Sequence, residues 1–318
     1  MGTKITVIGA GSVGAAITND IMVQGFASEI LLIDINKTKA FGEALDVYQA
    51  APFCSPAIVR SGDYPDAAGS NIVIITSGLP RKPGQTRLEL AQTNVNIIKS
   101  ITPQIVQYAP DAIYIIVSNP VDILTYVFHK ISGVPENHII GSGTVLDTSR
   151  LQAALAKRFH ISPKNVHAHV YGEHGDSSFV PWNSVRISSV SLADYRKHLN
   201  YREDFAAELD LDEIENYIRT SGGKIIQRKG ATFYAIAVSV CDIVKTLLNG
   251  SDSVLCVSSM MHGEFGIEDV CLSIPTIVNG QGIKGTLLPV LTDEETEQLR
   301  HSADVLKGVI SQIDFEQA

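Results

Sequence analysis

Four short stretches in the first half of the chain are almost uniformly apolar. They cover residues 5–8, 29–35, 71–76 and 111–118, and they are rich in isoleucine and valine. A strand with one face in solvent alternates apolar and polar residues, whereas a parallel strand covered on both faces does not. The pattern therefore predicts four buried parallel strands.

Amphipathic stretches lie between these apolar runs and predict helices over residues 13–24, 37–50 and 88–108. Strands that alternate with helices are joined by right-handed crossovers, which place helices on both faces of a parallel sheet. The first half is therefore expected to be an α/β fold with a doubly wound sheet.

The second half of the chain has a different pattern. A short apolar run at 166–171 is followed by helical segments at 209–227 and 231–248, and then by β-like runs at 253–259 and 270–278. Thr292 stands three positions before Glu295, which is the spacing of a capping box at the start of a final helix. We expect an α+β substrate domain over residues 146–318, after a nucleotide-binding domain over residues 1–145.

Composition narrows the classes of function. The 318 residues include 45% hydrophobic and 19% charged residues and carry a formal net charge of -9. The negative charge argues against nonspecific binding to nucleic acid or to an anionic membrane. The chain shows no signal peptide and no apolar stretch near the roughly 20 residues that span a bilayer. These features predict a soluble cytoplasmic protein.

The four cysteines also indicate a cytoplasmic protein. Cys54, Cys241, Cys256 and Cys271 form no CxxC pair and no zinc-ligand spacing. We expect reduced and mostly buried thiols in the cytosol, and no metal site.

A glycine motif follows the first predicted strand. The sequence GAGSVG places Gly9, Gly11 and Gly14 where a strand turns into a helix, and Asp34 follows Gly14 by 20 residues. Glycines allow pyrophosphate to approach the backbone at a helix N-terminus, and the acidic residue accepts hydrogen bonds from ribose. An acid also disfavours a 2′-phosphate, so NAD is the expected cofactor. A simple turn at the glycines and a helix cap at Asp34 are the alternatives.

Three polar clusters interrupt apolar surroundings, at residues 118–120, 147–150 and 172–176. Each also has an ordinary structural explanation. Asn119 and Asp147 are suited to capping helices, Arg150 to a surface ion pair, and His174 to a loop between glycines. Asp176 fits a turn and is given no catalytic role.

Taken together, these clusters resemble the L-lactate/malate dehydrogenase family. The resemblance is carried by VSNPVD at 117–122, GSGTVLDTSR at 141–150 and GEHGD at 172–176, and it extends over essentially the whole chain. It implies an N-terminal Rossmann domain with strand order 3-2-1-4-5-6, and an NAD-dependent transfer of hydride between NADH and the carbonyl carbon of a 2-oxo acid.

The resemblance also implies a role for each polar residue. His174 donates a proton to the carbonyl oxygen, and Asp147 orients its ring and stabilises its charged form. Arg150 grips the C1 carboxylate with its planar fork, which lysine does poorly. Arg87 polarises the carbonyl, and Asn119 forms a hydrogen bond near the carbonyl and the nicotinamide.

A loop over residues 79–89 is expected to close on the substrate and to bring in Arg81 and Arg87. In the family, the position of Arg81 reads the C3 substituent of the substrate, with glutamine usual in lactate enzymes and arginine in malate enzymes. The sequence RKPG at 81–84 is thus malate-like. Glu173, the stretch PVDILTY at 120–126 and Thr232, which matches a substrate-pocket threonine, are lactate-like.

The cost of burying a charge favours oxaloacetate. An unpaired buried charge costs about 3–5 kcal/mol, and each ~1.4 kcal/mol is a factor of ten. Pyruvate offers only a methyl group to Arg81, whereas oxaloacetate offers a carboxylate. The alternative is that Arg81 turns to solvent or pairs with an acidic neighbour such as Glu89, which would leave pyruvate as the substrate.

The resemblance further implies a homotetramer, with a homodimer as the alternative. Bacterial lactate enzymes of the family are often activated by fructose 1,6-bisphosphate at a subunit interface. His167 matches the histidine of that site, but Gln152 stands in place of its arginine. We expect weak or absent activation. A strand residue without a ligand is the alternative explanation of His167.

Two other classes of function remain open from the residues. An NAD-binding protein without catalysis has the same fold but needs a broken site. A metal-assisted, NAD-dependent glycosidase needs a cysteine–histidine metal site, for which the sequence shows no pairing.

Overall fold

A computed structural model describes residues 2–80, 86–198 and 209–315. Up to residue 141, strands and α-helices alternate along the chain except between the third and fourth strands, which a 3-10 turn connects. In order, these are β1 (Lys4–Ile8), α1 (Ser12–Gln24), β2 (Glu29–Ile33), α2 (Lys37–Tyr48), β3 (Ile58–Ser61), β4 (Ile72–Ile75), α3 (Arg87–Tyr108), β5 (Ile113–Ile116), α4 (Val121–Ser132) and β6 (Ile139–Gly141).

These six strands are parallel neighbours in one sheet, in the order β3-β2-β1-β4-β5-β6. The expected strand order 3-2-1-4-5-6 is confirmed. Every residue of β4 and β5 is buried, because helices cover both faces of the sheet. Burial on both faces explains why these strands show no alternation in the sequence.

The four strands expected from apolar runs are present, with ends that differ by at most two residues. Two further strands, β3 and β6, did not stand out in the sequence. β3 lies at the edge of the sheet with an exposed Ile58, and β6 has only three residues. Neither is long and apolar enough to produce a clear pattern.

The second half contains helices and short antiparallel strands. In order, these are α5 (Val145–Phe159), β7 (Val166–His167), β8 (Arg186–Ile187), β9 (Val190–Ser191), α6 (Leu192–His198), α7 (Leu211–Lys229), α8 (Tyr234–Asn249), β10 (Ser253–Leu255), β11 (Ser258–His262), β12 (Glu268–Ser273), β13 (Thr276–Asn279), β14 (Gly282–Thr286) and α9 (Asp293–Ile310). The expected α+β character is confirmed.

Each of the two expected β-like runs divides into two strands that belong to different sheets. β10 and β13 pair with each other in a small sheet, whereas β11 and β12 extend the large sheet beyond β6. The antiparallel contact joins Ser258 of β11 to Gly141 of β6. Pro275, which lacks a backbone N–H, separates β12 from β13. The large sheet therefore contains strands from both sides of residue 145, and the domain boundary at that residue stays a prediction.

The two halves also share a hydrophobic core. Ile17 of α1 and Val240 of α8 belong to one buried cluster, and the two helices pack together. The final helix α9 begins with the expected capping box. Thr292 N donates to Glu295 Oε2 at 2.9 Å, and Glu295 N donates to Thr292 Oγ1 at 3.2 Å.

The four cysteines are free thiols, and three of them are buried. None of the helices in the described ranges combines the length and apolarity needed to cross a lipid bilayer.

Candidate functional site

The glycine motif forms a tight crossing between β1 and α1. Gly9 has a φ of +111°, a conformation that L side chains rarely adopt. A Cβ atom on Gly14 would lie only 1.8 Å from the carbonyl oxygen of Gly9, so both positions require glycine.

The N-terminus of α1 is open to a ligand. Gly11 is its N-cap residue, no side chain caps the helix, and no acidic residue lies in the first turn. A Cβ atom on Gly11 would meet nothing within 4 Å. Free amide donors at the positive end of a helix suit a pyrophosphate, so the residues present fit the cofactor that the sequence implies.

Asp34 follows β2 and contacts the same turn. Its Oδ2 accepts from Ala10 N at 2.6 Å, and its Oδ1 accepts from Asn36 N at 2.8 Å. The N-cap of α2 is Asn36, whose side chain accepts from Lys39 N. The alternative explanation of Asp34 as a helix cap is therefore wrong. The carboxylate lies at the carboxyl end of β2, beside the glycine motif, and its expected contact with a ribose stays a prediction.

Asn119 lies just beyond the carboxyl end of β5, and its peptide bond to Pro120 is cis. The side-chain oxygen of Asn119 accepts from Val121 N at 3.3 Å, but the N-cap residue of α4 is Pro120, so Asn119 is not the cap of this helix. Its expected contact with the carbonyl and the nicotinamide stays a prediction.

Asn94 lies in α3 and is 2% exposed, and no pattern in the sequence indicates its role. Its Nδ2 donates to the carbonyl oxygen of Asn119 at 2.7 Å, and its Oδ1 accepts from Leu79 N at 2.8 Å. Asn94 thereby ties the start of the expected closing loop to the segment that carries Asn119.

His174, Asp147 and Arg150 come together in space. His174 Nδ1 lies 2.5 Å from Asp147 Oδ2, and Arg150 Nη1 donates to Asp147 Oδ1 at 2.8 Å. The side chain of Asp147 is 6% exposed, that of Arg150 14%, and that of His174 23%. Each oxygen of the buried carboxylate thus contacts one basic side chain. Asp147 and Arg150 are three residues apart on α5, so the helix places them on one face.

These contacts shift the ionisation of the pair. The negative charge of Asp147 raises the pKa of His174 above its ordinary value, although burial opposes the shift. Burial alone would raise the pKa of Asp147, but the charges and hydrogen bonds of His174 and Arg150 lower it overall. The site is arranged to keep a protonated imidazole beside an ionised carboxylate.

A second buried acid touches the same histidine and was not identified from the sequence. Asp122 Oδ2 accepts from the backbone N–H of His174 at 2.8 Å, and Asp122 Oδ1 accepts from Ser258 Oγ at 2.6 Å. The motif that contains Asp122 was recognised, but the contacts depend on residues that are remote along the chain.

Helix α7 passes close to Arg150 at a pair of glycines. A Cβ atom on Gly222 would lie 3.6 Å from Arg150 Nη2, whereas one on Gly223 would meet nothing within 4 Å. Two adjacent glycines inside a helix are destabilising, at about 0.5–1 kcal/mol each relative to alanine. In the sequence, this cost is the sign that the two glycines have a role, because a glycine inside a helix usually has a packing or functional reason.

The remaining expected site residues are placed as follows. Thr232 is partly buried in the connection between α7 and α8. Arg87 is the first residue of α3, whose N-cap Thr86 forms a capping box with Glu89. The side chain of Arg87 and the whole of Arg81 lie outside the described residues, so their roles stay predictions.

The expected effector residues show an internal contact. Gln152 Nε2 donates to the carbonyl oxygen of Ala168 at 3.2 Å, while His167 is exposed on β7. The neighbouring His169 has a pKa lowered by burial and by the charge of His167.

Over residues 2–80, 86–198 and 209–315, no group of three or more His, Cys, Asp or Glu side chains is placed to hold a metal ion.

Comparison with known proteins shows similarity along the whole chain. Residues 3–141 match the lactate/malate dehydrogenase NAD binding domain, and residues 144–316 match the lactate/malate dehydrogenase alpha/beta C-terminal domain. An L-lactate dehydrogenase of Clostridium botulinum is 46% identical over 97% of this chain and 96% of its own length. L-lactate dehydrogenase 1 of Clostridium acetobutylicum is 45% identical over 98% of both chains.

Solved structures show the same similarity. A minor L-lactate dehydrogenase from Enterococcus mundtii, in a ligand-bound form, superposes with a TM-score of 0.93 at 36% identity, covering 99% of both chains. A lactate dehydrogenase from a Medee basin deep-sea metagenome library gives a TM-score of 0.93 at 35% identity, covering 98% of this chain and 99% of the other. The chain therefore belongs to the lactate/malate dehydrogenase family of NAD-dependent oxidoreductases.

Proposed function

We propose that this protein interconverts a 2-oxo acid and the L-2-hydroxy acid, and that oxaloacetate and L-malate are its preferred pair. The observation that carries the reaction type is the arrangement of His174 and Arg150 on the two oxygens of buried Asp147. This arrangement offers a proton donor and a carboxylate-binding cation side by side. NADH, when bound, supplies the hydride.

His174 is suited to exchange a proton through Nε2. Its Nδ1 is held by Asp147 Oδ2, so the Nδ1–H bond points at the carboxylate and Nε2 is the atom left for the substrate oxygen. During reduction, the imidazolium gives its Nε2 proton to the carbonyl oxygen and becomes neutral. In the oxidation of a hydroxy acid, the neutral ring takes the proton back. Asp147 stabilises the charged ring in either direction.

Arg150 is suited to bind the C1 carboxylate. A guanidinium carries five N–H donors, and the contact with Asp147 is made by Nη1. With 14% of its side chain exposed, Arg150 remains accessible to a ligand while competition from water is limited. A bidentate contact would orient the carbonyl group toward His174. Arg87 and Asn119 are proposed to polarise the carbonyl, and Thr232 to line the pocket, as the family resemblance implies.

The preference for oxaloacetate rests on Arg81. A guanidinium closed over pyruvate would lack a partner, whereas oxaloacetate supplies a second carboxylate.

Pyruvate and L-lactate are the second candidate pair. The Clostridium and Enterococcus relatives are named L-lactate dehydrogenases, and Glu173 and Thr232 are lactate-like. In that case Arg81 would not meet the C3 substituent. A third possibility, NAD binding without catalysis, is opposed by the assembled His174, Asp147 and Arg150.

We also propose that the protein is a cytoplasmic homotetramer, with a homodimer as the alternative. Support comes from an exposed apolar stripe on α2, where Phe41, Leu45 and Tyr48 are 60%, 42% and 45% exposed. Apolar side chains at i, i+4 and i+7 lie on one helix face, and such a face is typical of a surface that another subunit covers.

The substrate assignment is tested by NADH oxidation with each acid. We expect kcat/KM for oxaloacetate to exceed that for pyruvate by about two to three and a half decades. Arg81→Gln should raise kcat/KM for pyruvate and lower it for oxaloacetate. Lys82→Gln, which removes the adjacent charge, is the control and should leave the ratio unchanged. Equal or better turnover of pyruvate by the natural chain contradicts the assignment, and turnover of neither acid contradicts catalysis. A chelator should have no effect.

The proton donor is tested by pH profiles. Because Asp147 raises the pKa of His174, kcat/KM for reduction should fall only as pH rises through that raised value. Asp147→Asn removes the charge, so this decline should move to lower pH and the maximal rate should fall by roughly 10²–10⁴-fold. Asp176→Asn makes the same chemical change two residues after His174 and should leave the midpoint in place. An unchanged midpoint in Asp147→Asn would contradict the role of His174.

The space beside Arg150 is tested by a matched pair of variants. Gly222→Ala places a methyl group 3.6 Å from Arg150 Nη2, whereas Gly223→Ala points into open space. Both should stabilise α7 by about 0.5–1 kcal/mol in thermal unfolding. Only Gly222→Ala should lower kcat/KM, by roughly tenfold and for both acids alike, because its methyl group contacts the guanidinium that is proposed to bind their shared C1 carboxylate. Equal kinetics in the two variants would show that the space is not used.

Activation by fructose 1,6-bisphosphate should be weak or absent. Gln152 is neutral and its amide already contacts Ala168 O, so His167 is the one basic side chain left at the two effector positions. We expect KM for the oxo acid to change by less than about twofold, while Gln152→Arg should introduce a measurable decrease. A large decrease of KM in the natural chain would refute this expectation.

A further inference from the structure

Asp122 is a buried acid that has no role in the proposed reaction. It lies in the first turn of α4, three residues after Asn119, and only 2% of the residue is exposed. Burying an ionisable group is costly unless its hydrogen bonds are satisfied. The contacts of Asp122 therefore indicate its role.

The carboxylate joins three segments that are distant in sequence. Oδ2 accepts from the backbone N–H of His174 at 2.8 Å, and Oδ1 accepts from the hydroxyl of Ser258 at 2.6 Å. Ser258 is the first residue of β11 and pairs with Gly141. Asp122 is thus anchored to the sheet on one side and holds the backbone of the proton donor on the other.

Asp122 extends the anchoring of the backbone to His174. The preceding residue is already held, because Glu173 N donates to Ser302 Oγ at 2.6 Å. Asp147 holds only the imidazole of His174, through Nδ1. The contact of Asp122 with His174 N therefore fixes the backbone end of the residue, while Asp147 fixes the ring.

We propose that Asp122 is a positioning residue, whose carboxylate holds the His174 backbone and sets the distance between the proton donor and the segment that carries Asn119. This role rests on the proposed function. Asn119 and Asp122 are three residues apart at the start of one helix. Through Asp122, the segment expected beside the nicotinamide and the residue expected beside the substrate oxygen move as one unit.

The charges around Asp122 define what its substitution changes. The charges of His174 and Glu173, in the segment between β7 and β8, act on the pKa of Asp122. The charge of Asp122 in turn raises the pKa of Cys271 in β12. Burial raises the pKa of Asp122 to about 6, against the hydrogen bonds from Ser258 and His174. Its negative charge adds to that of Asp147 in raising the pKa of His174, and the positive charge of Arg150 acts in the opposite direction.

The raised value also fixes the effect of Asp122 on stability. In the unfolded chain the carboxyl ionises near 3.8, and in the folded protein near 6. Its ionisation therefore costs folding free energy, a cost that is absent below 3.8 and complete above about 6. Replacing Asp122 by asparagine removes this cost, so Asp122→Asn should be at least as stable as the natural protein at neutral pH.

The test compares two variants of Asp122 with a control on the same helix. Asp122→Ala removes the acceptor for His174 N. Asp122→Asn keeps an acceptor oxygen for His174, and its amide can donate to Ser258 Oγ, but it carries no charge. The control is Thr125→Val, which changes a residue that follows Asp122 on α4. It removes the buried hydrogen bond from Thr125 Oγ1 to Val121 O. All are measured as the full chain with NADH and oxaloacetate or pyruvate.

A positioning role predicts a split between the kinetic constants. Asp122→Ala should lower kcat by roughly 100-fold, because a small misplacement of a reacting group has effects of this size. KM should change by less than about threefold, since Arg150 still binds the carboxylate. Asp122→Asn should recover kcat to within roughly tenfold, and Thr125→Val should match the natural protein.

The second readout does not depend on activity. The protein has nine histidines, and the NMR signal of His174 is assigned as the one that is lost in His174→Gln. Its titration should have a lower midpoint in Asp122→Asn than in the natural chain, and the same midpoint in Thr125→Val. The pH profile of kcat/KM should move in the same direction.

Three results would overturn the proposal. These are a kcat of Asp122→Ala within about threefold of the natural value, an equal loss in Thr125→Val, or a His174 midpoint that is unchanged in Asp122→Asn. If the natural chain reduces neither acid, the proposed function fails, and the NMR titration alone then decides whether Asp122 acts on His174.

Discussion

The site depends on one buried carboxylate that two cations share. Asp147 is almost fully enclosed, and its two oxygens hold His174 and Arg150 at 2.5 and 2.8 Å. Buried charge is tolerated only when it is paired and hydrogen-bonded, so removing any of the three leaves the others in an unfavourable state. The carboxylate of Asp147 fixes the ring orientation of the histidine and raises its pKa, and it holds the arginine beside that ring, where we propose that a substrate carboxylate binds.

The fold supplies the rigid surroundings that this carboxylate requires. Asp147 and Arg150 lie on the first turns of α5, directly after β6, and Asp122 lies on the first turn of α4, directly after β5. The carboxyl ends of neighbouring parallel strands therefore bring both acids to one edge of the sheet. Strand β11, from the second half of the chain, completes the arrangement through Ser258.

Much of this could be predicted from the sequence because the signals are local. Uninterrupted apolar runs identified the central strands, and the spacing from Gly9 to Asp34 identified the nucleotide turn. Short or edge strands such as β3 and β6 left no clear pattern. The division of residues 253–259 between two sheets was equally invisible, since both pieces have similar composition and differ only in the strands that they meet.

The local sequence is enough to identify the chemical groups that are available: a glycine turn after the first strand, an acid after the second strand, and a histidine, an aspartate and an arginine in recognisable motifs. Which of these groups meet depends on the packing of remote segments. His174 contacts Asp147 across 27 positions and Asp122 across 52, and Ser258 reaches Asp122 across 136. Distance and desolvation set the strength and the ionisation of such contacts, and both arise when remote segments pack together.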